Sequence, residues 1–82
     1  MRKIYQIAQD IQTTWKAQSK NGIYFGAKPY LDAMFSLEDK TSMYGMDSAD
    51  SIVRYFLANA STFKGEKAKA LKAELKQVIG MK

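Results

Sequence analysis

The stretch Asp47 to Phe63, DSADSIVRYFLANASTF, decides the fold. Ala49, Ile52, Val53, Phe56, Leu57, Ala60 and Phe63 recur at spacings of three and four, the period of a helix that buries one face. Asp47 or Ser48 suits the N-cap, where a short side-chain oxygen accepts from an otherwise unpaired N–H, and Asp50 adds negative charge to the first turn. The pattern predicts a central helix that stops at Lys64-Gly65.

The same period returns on both sides. Downstream, Glu66 to Ile79 is built from Lys, Ala, Leu and Glu, all strong helix formers. Ala68, Leu71, Leu75, Val78 and Ile79 are its apolar stripe, and Gly80 suits the left-handed cap. Upstream, Ile4, Ile7, Ala8, Ile11 and Trp15 fall within about 100° of arc. That run ends at Lys20-Asn21-Gly22, where Asn or Gly can take the cap. Pro29 fits the first turn of a short helix, since its missing N–H is not needed there. Leu31, Met34 and Phe35 are the buried set of that helix, which ends near Glu38. Ile23-Tyr24-Phe25 and residues 39–46 read as connectors, with Gly45 turning the second. The expected fold is all-α: a compact bundle of three longer helices and one short helix, with no sheet, in a single domain spanning 1–82.

The 82 residues include no cysteine and no histidine. A Ser-His-Asp or Cys-His arrangement and a conventional zinc site therefore fall away. No phosphate-binding glycine loop, dinucleotide fingerprint or nucleophile elbow occurs. Asp32, Glu38, Asp39, Asp47 and Asp50 remain as acids, bases or magnesium ligands, but helix starts and solvent account for them. The expectation is a non-enzyme with no catalytic residue, no metal ligand and no cofactor. Arg2-Lys3 imitates the start of a signal peptide, but Gln6, Gln9, Asp10 and Gln12 interrupt the apolar run that would have to follow. No apolar run approaches the ~20 residues of a membrane span. A soluble, cytoplasmic protein without membrane contact is expected.

The net charge of +5 is unevenly distributed. Residues 1–29 carry five cations and one acid, residues 30–50 five acids and one cation, and residues 51–82 seven cations and two acids. On the last helix Lys69, Lys72 and Lys76 share one strip with no acid between them. Like charges at these spacings repel by a few tenths of a kcal/mol, and a phosphate backbone would relieve them and release counterions. A lysine-rich face that only keeps the chain soluble explains the strip as well. Lysine without arginine argues against sequence-specific base reading.

The connectors hold a second candidate. Tyr24, Phe25 and Tyr30 flank one loop, and Met43, Tyr44 and Met46 occupy the next. Loops are usually polar, so these six residues either fold over the ends of a small core or offer adaptable contact area to a partner.

Two stretches, Asn21 to Met34 (NGIYFGAKPYLDAM) and Tyr44 to Leu75 (YGMDSADSIVRYFLANASTFKGEKAKALKAEL), resemble small uncharacterised helical proteins encoded by phages and integrative elements of Gram-positive bacteria. The resemblance spans most of the chain. It implies a mobile-element context and brings no catalytic or binding residues. The leading expectation is a non-enzymatic protein-binding or accessory module that uses the aromatic loops on an unidentified protein or on a second copy of itself. The alternative is a nucleic-acid-associated accessory protein that uses Lys69, Lys72 and Lys76, with Arg2 and Lys3 as candidate further contacts.

Overall fold

The computed structural model describes residues 2–20 and 22–80, so the cap proposed at Asn21 lies outside the described residues. Its elements are α1 (Ile4–Gln18), α2 (Lys28–Met34), β1 (Met43–Tyr44), β2 (Asp47–Ser48), α3 (Ala49–Ala58) and α4 (Glu66–Val78).

No Ser, Thr, Asp or Asn precedes α1 to cap it. Its first donors are met from elsewhere in the chain: the N–H groups of Ile4 and Tyr5 donate to the carbonyls of Glu38 and Leu37, at 2.7 and 3.0 Å. This clasp brings the end of the α2 segment back to the start of α1, so the two helices run antiparallel. At the other end, Gly26 lies against the Asn59 side chain beyond α3, and Gly65, ahead of α4, lies against Gln18 of α1. The helices therefore run up, down, up, down. Segments 19–27 and 59–65 close one end, and segment 35–48 closes the other. The molecule measures 34 × 22 × 19 Å.

The core is entirely apolar, with no buried polar or charged residue among those described. Trp15 is its centrepiece, stacked on Phe63 at 4.9 Å between ring centroids and edge-on to Phe56 at 6.2 Å. Ile4, Ile7, Ile11, Leu31, Met34, Val53 and Leu75 complete it. The apolar stripes expected of α1 and α4 are buried as their periodicity requires.

Three expectations need correction. The chain is mostly helical but not free of sheet: Met43 pairs with Ser48 and Tyr44 with Asp47, antiparallel. Gly45 has φ +61° and no non-glycine residue among those described has positive φ, so Gly45-Met46 is a two-residue hairpin loop with glycine first, a turn whose twist suits the flanking strands. Second, α3 ends at Ala58 and does not reach Lys64. Asn59 caps it, with its side-chain amide donating to the carbonyl of Tyr55 at 2.9 Å. Short polar side chains such as Asn59, Ser61 and Thr62 compete with helical hydrogen bonding, and Ala60 and Phe63 reach the core from turns. Third, α2 ends at Met34. Phe35 is half-buried there, while Leu37, from the turn after the helix, is fully buried.

Candidate functional site

Ser48 accepts from the N–H of Ser51 at 3.1 Å and fixes the start of α3, and the hairpin is anchored just ahead of it. Met43, Tyr44 and Met46 project there into solvent, Met46 almost completely, at 97% exposure. Tyr24 and Phe25 sit at the other end of the bundle, beside the last turn of α1. Their rings are 5.0 Å apart, and Phe25 is 80% exposed. With Trp15, Ser19, Ile23 and Thr62 they line a groove of about 380 Å³. The ten residues of α3 separate the two loop clusters by about 15 Å at 1.5 Å per residue. Five of the six aromatic and methionine candidates therefore form two surfaces, Tyr24 with Phe25 and Met43 with Tyr44 and Met46, not one patch.

Tyr30 belongs fully to neither surface. It is half-buried, packs on the core, and stacks on Tyr55 at 5.6 Å. Tyr55 is itself exposed and lies one turn before Asn59, which lies against Gly26 beneath the Tyr24 ring. The loop-centred reading missed Tyr55 because it lies on a helix. The available signal was a large aromatic on the polar face of α3.

The lysine strip has a definite shape. Lys69, Lys72 and Lys76 line a groove of about 630 Å³, together with Phe63, Lys64, Gly65, Glu66 and Ala73. The Lys72 ammonium stands 5.7 Å from the centroid of the buried Phe63 ring, an attractive position for a cation over a π face. Partial burial, with Lys76 and Lys64 nearby, pushes the Lys72 pKa below its ordinary value. The reading from α4 alone did not include Lys64, which joins the strip from the connector.

Six of the eight carboxylates are engaged elsewhere. Asp10 meets Arg2 and Lys67, Glu74 meets Arg2, Glu38 meets Lys3, Asp32 meets Lys28, and Asp50 meets Arg54. Asp39 accepts from the backbone and hydroxyl of Thr41, which holds its pKa below the usual carboxylate range. Among the described residues no three acids converge on a point that would hold a metal ion. No helix among them is long and apolar enough to cross a membrane.

No protein-family model, curated protein or solved structure matches the chain.

Proposed function

We propose that this chain is a non-enzymatic accessory module that binds a protein partner through Tyr24, Phe25 and Tyr55, with the Met43–Met46 hairpin as a second contact. One observation carries the reading. Every described Ile, Leu, Val and Trp is buried or half-buried, whereas the exposed large apolar side chains are all Tyr, Phe or Met. Aromatic residues and Met are the types enriched at protein interfaces, where they combine contact area with adaptability. The groove beside Phe25 gives a partner side chain somewhere to insert. Carboxylates held in ion pairs, in a chain without histidine or cysteine, support the non-enzymatic part of the reading. The proposed setting is the cytoplasm of a bacterium carrying a phage or integrative element, on the strength of the resemblance in Asn21–Met34 and Tyr44–Leu75.

The test is affinity capture from nuclease-treated bacterial extract with the wild-type chain, Phe25→Ser/Tyr55→Ser and Met43→Ser/Met46→Ser. The expected result is a protein retained by the wild type and lost from the Phe25/Tyr55 variant, with weaker retention by the hairpin variant. Sedimentation of the purified chain identifies the case in which the partner is a second copy. Identical retention by all three proteins would overturn the assignment.

A further inference from the structure

We propose that the groove along α4 binds the phosphate backbone of a nucleic acid. Lys64, Lys69, Lys72 and Lys76 line a single concave surface. Among the described residues none of the four lies within ion-pairing distance of a carboxylate; the same holds for Lys16, Lys20 and Lys40, which do not line the groove, whereas Arg2, Lys3, Lys28, Arg54 and Lys67 are all paired. The two flanks of α4 thus differ. Lys67 and Glu74 tie the helix to Asp10 and Arg2, and the groove flank keeps its positive charge unneutralised. Glu66, at the start of α4, is the one carboxylate among the described residues that lines the groove.

The spacing suits a polyanion. From Lys69 to Lys76 the helix rises about 10 Å, and Lys64 extends the row beyond the helix start. A DNA strand presents a phosphate about every 3.4 Å of axis, so the row spans several. Lysine also discriminates between partners. It is depleted at protein–protein interfaces, and without arginine the groove has no bidentate reader of base edges. A membrane surface fits less well, because Phe63, the only aromatic ring lining the groove among the described residues, is fully buried and cannot insert among lipids. The binding is therefore to backbone and indifferent to sequence. This groove and the aromatic surfaces share no residue, so either proposal stands without the other.

The test is fluorescence anisotropy of the full chain with labelled mixed-sequence duplex and single-stranded DNA at several salt concentrations. With four lysine contacts, duplex affinity should fall on the order of 100-fold between about 50 and 200 mM salt. Lys64→Gln/Lys69→Gln/Lys76→Gln spares Lys72, which stands over Phe63, and should lose only about 4-fold over the same range. Lys69→Gln alone should lower the salt slope by about one unit. Lys3→Gln/Lys28→Gln/Lys40→Gln removes the same charge elsewhere and should behave as the wild type does. The proposal is overturned if DNA does not bind at low salt or if the two triple variants weaken binding equally. Binding to anionic phospholipid vesicles, lost in the groove variant while DNA is ignored, would overturn it in favour of a membrane.

Discussion

Arg2 joins parts of the chain that lie far apart in sequence. Its guanidinium donates to both carboxylate oxygens of Glu74, at 2.8 and 2.6 Å, and to Asp10 at 3.4 Å. The fork geometry matches a carboxylate as a lysine ammonium cannot. Hydrogen bonding to Arg2 holds the Glu74 pKa below its ordinary value. A carboxylate with a depressed folded-state pKa stabilises fully above its unfolded pKa of about 4.3, and that contribution disappears as pH falls through the folded value. Urea midpoints measured from pH 6 down to pH 2 should therefore drop more steeply for the wild type than for Glu74→Gln. The gap at neutral pH should be about 0.2–1 kcal/mol, because the pair is partly solvated. Equal steepness would mean that the contact contributes nothing.

At the scale of elements, the two ends of α3 are set by different physics. Its start is local: the Ser48 hydroxyl accepts from Ser51, and Ser48→Ala should cost about 1 kcal/mol in chemical denaturation. A loss near zero would show that the hairpin alone positions the helix. This start was legible in the sequence, as was α4 to within one residue at its end, because cap chemistry and a long apolar period act within the segment itself. The end of α3 was not legible. Phe56, Ala60 and Phe63 keep a helical spacing, yet the last two reach the core from turns once Asn59 has closed the helix. The start of α1 was legible only from its stripe, since the carbonyls of Leu37 and Glu38 that accept from its N–H groups come from a different part of the chain. The hairpin did leave a signal: Tyr44-Gly45-Met46-Asp47 places a glycine first in a two-residue loop between short segments able to pair.

For the molecule as a whole, the candidate sites were legible as residues but not as surfaces. Periodicity placed Lys69, Lys72 and Lys76 on one strip of α4, and the structure adds Lys64 and the Phe63 ring from the preceding connector. Composition picked out the loop aromatics, but only the up-down-up-down path shows that Tyr24 and Phe25 lie at one end of the bundle and Met43, Tyr44 and Met46 at the other. The fold divides its aromatic residues by task. Trp15, Phe56 and Phe63 hold the helices together, while Phe25 and its neighbours face solvent.

That division is the central claim, and urea denaturation of three proteins tests it most directly. Trp15→Ala removes the ring stacked on Phe63 and should destabilise by about 3–5 kcal/mol, enough to threaten folding in a domain this small. Phe25→Ser/Met46→Ser replaces the two most exposed large apolar residues among those described and should stay within about 1 kcal/mol of the wild type. A loss of about 3 kcal/mol or more in the Phe25/Met46 variant would contradict the account, because those side chains would then serve the fold and leave no surplus apolar surface for a partner.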